Sequence, residues 1–171
     1  MGLFDNCREL IAHGPSKLTI RTNVLISYEG SVRHYMAHPD LTELLNALLP
    51  MAERLLKKQG EFYPIGAIML SDGEIRHVGA KIEGDDHPPS QSLIDLLTET
   101  FQKEATKGNL RAAGISYDAL TVPPGKHQKQ DAICCSLAHC FGEVVDVFKP
   151  YVRTEDGTFQ FDDIFATKRT S

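Results

Sequence analysis

The sequence is short of the features that mark disulfide-rich, membrane-spanning or nucleic-acid-binding proteins. Its 171 residues include four cysteines, and no apolar run approaches the ~20 residues that a membrane span needs. Lys and Arg number 18 against 23 Asp and Glu, and this net charge of −5 lacks the basic surplus typical of nucleic-acid binders. We therefore expect neither a membrane span nor a nucleic-acid partner.

The sequence also shows neither an export signal over its first residues nor the cysteine spacing of a disulfide framework. The first residues, 1–5, carry neither the basic stretch nor the apolar stretch of a secretory signal, which favours a cytoplasmic location and reduced thiols. Cys134 and Cys135 are adjacent, and a bridge between neighbours strains the preferred disulfide geometry. Four cysteines in an otherwise average globular composition therefore indicate packing residues, not cross-links.

Catalytic and cofactor motifs are absent as well. The sequence contains no GxxxxGK[ST] phosphate loop, no GxGxxG and no GxSxG. The segment 114–118 begins like a nucleophile elbow but ends in Asp118, and it precedes a further strand-like run instead of a helix. No bound cofactor is expected on these grounds.

Hydrophobic spacing predicts one α+β domain over residues 40–165. It follows an N-terminal extension, residues 1–39, with a helix over 2–13 and a hairpin over 18–36, and it precedes a flexible basic tail, residues 166–171. Within the domain, the first helix starts at an Asp40–Glu43 capping box and carries an apolar face over residues 41–56. Pro50 should kink or divide this helix.

The remaining elements follow from turn residues and periodicity. Asp72-Gly73 predicts a hairpin between two apolar runs, and Ser90 or Ser92 should cap the second helix. The predicted segments are strands over 62–70 and 75–82, a helix over 91–107, and strands over 110–122, 132–141, 144–148 and 159–165. For residues 132–141 a strand is favoured over a helix because Gly142 separates two apolar runs of similar length.

This order predicts an antiparallel sheet of about five strands packed with two main helices. The element order over residues 40–152 is similar to the profilin-like sandwich of roadblock-type dimerisation domains. The likeness lies in element order, and it implies a role in protein interaction.

A cluster of three thiols and an imidazole is the first candidate for chemistry: Cys134, Cys135, His139 and Cys140. Structural zinc sites take ligand pairs from two separate places in the chain, and here the second pair is missing. On a strand, Cys135 and His139 share a face but lie ~13 Å apart, so they cannot bind one ion. Burial in the core is the favoured interpretation, and zinc binding or thiol catalysis by Cys135 and His139 is the alternative.

The loop Asp85-Asp86-His87 is the second candidate. Two carboxylates beside an imidazole can supply an acid and a base or bind a divalent cation, with His87 and Asp86 as the catalytic candidates. Gly, Asp and Pro are also what an ordinary strand-to-helix connection contains, and that interpretation is preferred. His77 on a predicted strand is more typical of a hydrogen-bonded sheet residue than of a ligand. The basic loop over 123–129 could meet phosphate or an acidic partner, but cations on an exposed loop are usually just solvated.

The leading functional hypothesis is a non-catalytic domain that binds another protein or a second copy of itself. Its support is the wide apolar face over residues 41–56 and a candidate sheet edge at 159–161. The alternatives are a small hydrolase or thiol- or metal-dependent enzyme, and a sensor with a small-ligand pocket between sheet and helices.

Overall fold

A computed structural model of the protein describes residues 11–12, 18–19 and 38–168. The helix predicted for residues 2–13 and the hairpin predicted for 18–36 lie outside the described residues, except for two short strands. These are β1 (Ile11–Ala12) and β2 (Leu18–Thr19), which pair antiparallel.

Residues 38–168 form two helices and seven strands, which confirms the α+β class. In chain order they are α1 (Pro39–Gln59), β3 (Ile65–Leu70), β4 (Ile75–Gly79), α2 (Ser90–Thr106), β5 (Leu110–Thr121), β6 (Gln130–His139), β7 (Val144–Arg153), β8 (Phe159–Phe161) and β9 (Phe165–Lys168). Every pairing among these seven strands is antiparallel. Neither helix is long and apolar enough to cross a bilayer.

The central part of the sheet runs in the order β4, β3, β5, β6, β7. The last predicted strand, 159–165, is in fact two short strands: β8 pairs with the end of β7 and β9 pairs with its beginning. Residues 166–168, which the sequence assigned to a flexible tail, belong to β9. Their backbone hydrogen bonds to β7 hold them in the sheet.

The two helices cover opposite faces of the sheet. Ala112 packs in the cluster that contains α1, and its neighbour Ala113 packs in the cluster that contains α2, because successive strand residues point to opposite faces. Six apolar residues of α1 are at most 3% exposed: Leu41, Leu44, Leu45, Leu48, Ala52 and Leu56. The sheet therefore occupies this apolar face, and it does not provide the uncovered partner surface that the sequence suggested.

Close packing of α1 on the sheet requires a glycine in β5. A Cβ added at Gly114 would lie 2.8 Å from Cδ1 of Leu48 in α1 and 2.6 Å from Cδ2 of Leu137 in β6. Both distances are shorter than carbon–carbon contacts in a packed core. Gly114 thus sets the distance at which α1 packs on the sheet.

The helix ends differ from the sequence predictions. The N-cap of α1 is His38, whose Nδ1 accepts a hydrogen bond from the backbone N–H of Asp40 at 3.3 Å. The prediction of an Asp40 cap is wrong because the carboxylate of Asp40 contacts other residues. Pro50 was predicted to kink or divide the helix; it does not divide it, since α1 continues through it, and the kink stays a prediction. At α2 the N-cap is Pro89 without a side-chain cap bond, so Ser90 and Ser92 do not cap it.

Candidate functional site

The two adjacent cysteines of β6 are separated by the sheet itself. Cys135 packs in the cluster that contains α1 and Cys134 in the cluster that contains α2, and both are buried. Burial raises the pKa of Cys135 to about 12, although a hydrogen bond with Ser116 opposes this shift. A thiol with so high a pKa stays protonated at neutral pH and is a poor nucleophile or metal ligand.

The other two members of the predicted cluster lie at the end of β6. His139 is 2% exposed, and Cys140, one residue beyond the strand, is exposed. Cys140 Sγ lies 3.7 Å from Nδ1 of His139. Because β6 is a strand, Cys135 is four residues and ~13 Å from His139 along it. The structure therefore does not bring the three thiols and the imidazole together at one point.

The loop Asp85-Asp86-His87 forms local contacts. The backbone N–H of His87 donates to Oδ1 of Asp85 at 2.9 Å, as in an Asx turn, and Nδ1 of His87 lies 3.4 Å from the hydroxyl of Tyr63. Asp86 and His87 are both exposed. These contacts describe a connection between β4 and α2 that is stabilised by its own side chains.

The basic loop over 123–129 is tied to an acidic residue near the end of the chain. Lys126 Nζ donates to Oδ2 of Asp162 at 2.7 Å, and Gln130 Nε2 donates to the same oxygen at 2.9 Å. These two hydrogen bonds, with Lys126 the larger cause, lower the pKa of Asp162 below its usual value. The charge of Lys126 thus has an intramolecular partner.

A different group of side chains converges at the N-terminus of α1, around Asp40. Asp40 is 6% exposed, and its carboxylate receives a two-pronged contact from Arg111 of β5: Nε to Oδ2 at 2.9 Å and Nη2 to Oδ1 at 2.8 Å. Nε2 of His139 lies 3.2 Å from Oδ2. This carboxylate connects the start of α1 to two neighbouring strands.

The backbone at the end of β6 orients the imidazole of His139. The N–H of Phe141 points at Nδ1 of His139 at 3.2 Å, which makes Nδ1 an acceptor. In the neutral ring the proton is then assigned to Nε2, which faces the carboxylate of Asp40. The backbone N–H of Cys140 donates to the carbonyl of Arg111 at 2.8 Å and keeps this end of β6 beside β5.

His38 completes the group from the other side. Its ring stacks on that of His139, with centroids 3.7 Å apart and an interplanar angle of 26°. Nδ1 of His38 lies 3.5 Å from Oδ2 of Asp40. The ring of Phe141 lies 4.9 Å from His139 and 6.1 Å from His38, and this side chain is 83% exposed. The group is thus buried on the sheet side and bordered by an exposed aromatic ring.

Three of these side chains have the spacing of metal ligands. One ligand atom each of His38, Asp40 and His139 lies within 4.8 Å of the other two. Among the described residues, this is the group of three or more His, Cys, Asp or Glu side chains with ligand atoms that close together. A tetrahedral ion with bonds of about 2.0–2.1 Å places its ligand atoms about 3.3 Å apart. The distances of 3.2 and 3.5 Å from Oδ2 to the two rings are close to that value.

Sequence reasoning found one of these three residues. His139 was a candidate, but Asp40 was interpreted as a helix cap and His38 was not considered. Ninety-nine positions separate Asp40 from His139 and 71 separate it from Arg111. The local signal that was available is the short spacing of His38 and Asp40, two residues apart at a helix start.

Comparisons with protein-family models, with curated proteins and with solved structures give no match to this chain.

Proposed function

We propose that this protein binds one divalent transition-metal ion, best matched by zinc, between His38, Asp40 and His139. The observation that carries the proposal is the position of Oδ2 of Asp40, 3.2 Å from Nε2 of His139 and 3.5 Å from Nδ1 of His38. Two imidazole nitrogens and a carboxylate oxygen around one point form a ligand set that zinc accepts.

The chemistry of the donor atoms selects the kind of ion. Calcium takes six to eight oxygen ligands and magnesium keeps several waters in an octahedral shell, so neither suits a set with two nitrogens. Imidazole nitrogens suit zinc, copper, nickel and iron. The two distances from Oδ2 of Asp40 to the histidine nitrogens, 3.2 and 3.5 Å, fit the edge of a tetrahedron, which is the geometry that zinc most often adopts.

The proposed ion would replace three weak interactions. Nδ1 of His38 accepts from the N–H of Asp40 at 3.3 Å, a long hydrogen bond, and Nε2 of His139 holds a proton 3.2 Å from Asp40. Metal binding takes the lone pair of the first nitrogen, and it moves the proton of His139 from Nε2 to Nδ1, which ends the hydrogen bond that Nδ1 accepts from the N–H of Phe141. The loss therefore comprises one long cap bond, the contact of His139 with Asp40 and the hydrogen bond from Phe141.

A set of three protein ligands supports a reaction class as well as binding. Structural zinc sites have four protein ligands, whereas catalytic sites have three and leave a position for water or substrate. A zinc-bound water ionises near neutral pH, so hydrolysis is the chemistry this ligand set supports. This extends the metal-dependent alternative of the sequence analysis to residues other than Cys134 and Cys135.

Calorimetric titration of the chelator-treated protein with zinc tests the proposal. We expect one zinc ion per chain in the wild type and at least about a hundredfold weaker binding in His38→Ala, more than the loss of an outer-shell partner costs. His87→Ala is the matched control, because it removes an exposed histidine that belongs to a different loop. Cobalt in place of zinc should give the absorption of a tetrahedral site.

Two results would contradict the proposal. The first is a wild-type protein without saturable zinc binding. The second is His38→Ala that binds zinc as tightly as His87→Ala, since the nitrogen of His38 would then not be a ligand.

Self-association is a second candidate function, and the exposure of Phe141 favours it. The ring of Phe141 at the β6–β7 turn is 83% exposed, and contact of so much apolar surface with water is unfavourable. A second copy of the chain is the simplest partner that could cover the ring. Light scattering should give twice the monomer mass, and Phe141→Ser should restore the monomer, whereas Val152→Thr, at another exposed apolar residue, should not. A wild-type monomer at high micromolar concentration contradicts this candidate.

A further inference from the structure

Arg111 holds the same carboxylate that the proposed metal ion would need. Its Nε lies 2.9 Å and its Nη2 2.7 Å from Oδ2 of Asp40, and Nη2 is also 2.8 Å from Oδ1. With the contact to His139, Oδ2 receives three nitrogen atoms within 3.2 Å. The guanidinium is therefore not a distant partner of the site but a direct neighbour of the ligand atom.

The lone pairs of Oδ2 decide where an ion can bind. A carboxylate oxygen has two lone pairs in its plane, and the hydrogen bond from Nε of Arg111 takes one of them. When His139 gives its Nε2 to the metal, its contact to Oδ2 disappears and leaves the other lone pair for the ion. Nη2 of Arg111 donates to Oδ1 and lies 2.7 Å from Oδ2, so an ion at Oδ2 lies directly beside the guanidinium.

The positive charge of Arg111 opposes an ion at Asp40. A guanidinium is always protonated, so it repels a divalent ion bound to the same carboxylate group at a distance of a few ångströms. The side chain of Arg111 is 40% exposed, whereas that of Asp40 is 8% exposed. Arg111 can thus move toward water while Asp40 stays in place.

We infer that Arg111 sets the metal affinity of this site by competing with the ion for Asp40. The inference rests on the proposed metal binding and adds the residue that controls it. Without metal, the guanidinium neutralises a buried carboxylate and keeps α1 attached to β5. With metal, the ion takes over this role and Arg111 loses part of its contact.

Substitutions at Arg111 test the competition through zinc affinity. In Arg111→Gln the positive charge and the two-pronged contact are removed, and we expect zinc to bind about tenfold or more tightly than to the wild type. Arg111→Lys keeps the charge but has a single ammonium group, so we expect an affinity between those of the wild type and Arg111→Gln. Arg76→Gln is the matched control, because it removes an exposed arginine of β4 that pairs with Glu74 and not with Asp40.

Thermal unfolding gives an independent readout. Metal-free Arg111→Gln should unfold at a lower temperature than the metal-free wild type, and added zinc should raise its midpoint by more than it raises that of the wild type. If Arg111→Gln does not fold without metal, the affinity of Arg111→Lys decides the matter.

The outcomes separate the two proposals. Zinc affinity that is unchanged or weaker in both Arg111 variants overturns the competition and shows that Arg111 supports Asp40 as a ligand, while metal binding itself stands. A wild-type protein that binds no zinc removes the proposed function, whatever the Arg111 variants do.

Discussion

Replacing Asp40 by Asn tests how strongly the buried carboxylate attaches α1 to the sheet in the metal-free protein. The change keeps the size of the side chain and removes its negative charge. Oδ2 accepts from Arg111 and from His139, and the amide of Asn places an N–H group where one of the two oxygens was. At least one donor of Arg111 or His139 then faces another donor.

The size of the effect follows from the exposure of each partner. A hydrogen bond to a charged group contributes about 1.5–3 kcal/mol, and two such contacts are disturbed. Arg111 is 40% exposed and can recover hydration, so its share is discounted, whereas His139 is 2% exposed and cannot. We expect Asp40→Asn to lose about 2–3 kcal/mol of unfolding free energy, which is about 4–12 °C for a chain of this length.

Urea unfolding in the presence of a chelator, followed by far-UV circular dichroism, measures this loss. The matched control is Glu43→Gln, which removes a carboxylate from an exposed position of the same helix and should change stability by less than about 0.5 kcal/mol. Equal stabilities of Asp40→Asn and Glu43→Gln would refute the role of this carboxylate in attaching α1.

Three further predictions concern the core and the thiols. Gly114→Ala should cost about 1–3 kcal/mol in denaturant unfolding because its methyl group overlaps two leucine side chains; a change below 0.5 kcal/mol would contradict the close approach. Burial, followed by the charge of Asp118, raises the pKa of Tyr151, so ionisation of the unfolded chain above about pH 10 should lower the stability of the folded state. Tyr151→Phe should therefore be less stable than the wild type by about 1.5–3 kcal/mol at pH 8, and the difference should shrink as the pH rises; a constant difference would contradict this. A thiol reagent followed by peptide mass spectrometry should label Cys140 in the folded protein and Cys135 only after unfolding, and rapid labelling of Cys135 would show that its burial is wrong.

The elements of residues 38–168 could be predicted because their signals are local. Apolar residues spaced three and four apart marked α1 and α2, and Asp72-Gly73 marked the tight turn between β3 and β4. Helix caps were predicted less well, since Asp40 and Ser90 have the residue types of caps but different roles in the structure. A cap residue is chosen by local chemistry only when no distant partner competes for its side chain.

The strand at 130–139 illustrates how local geometry limits function. Once β6 is extended, alternation places Cys134 and Cys135 on opposite faces and keeps Cys135 far from His139. The sequence was sufficient to show that a strand here would keep Cys135 and His139 apart, and the structure showed that the segment is a strand.

By itself the sequence determined the α+β class, most element positions and the residues of the apolar face of α1, because periodicity and turn chemistry act over a few residues. Only the tertiary structure decided the site. His38 and Asp40 come from the start of α1, Arg111 from β5 and His139 from the end of β6, and the packing of α1 on the sheet brings them within a few ångströms. Asp40 is 71 positions from Arg111 and 99 from His139 in the sequence. A local sequence pattern cannot indicate such contacts, since only the folding of the chain brings these residues together.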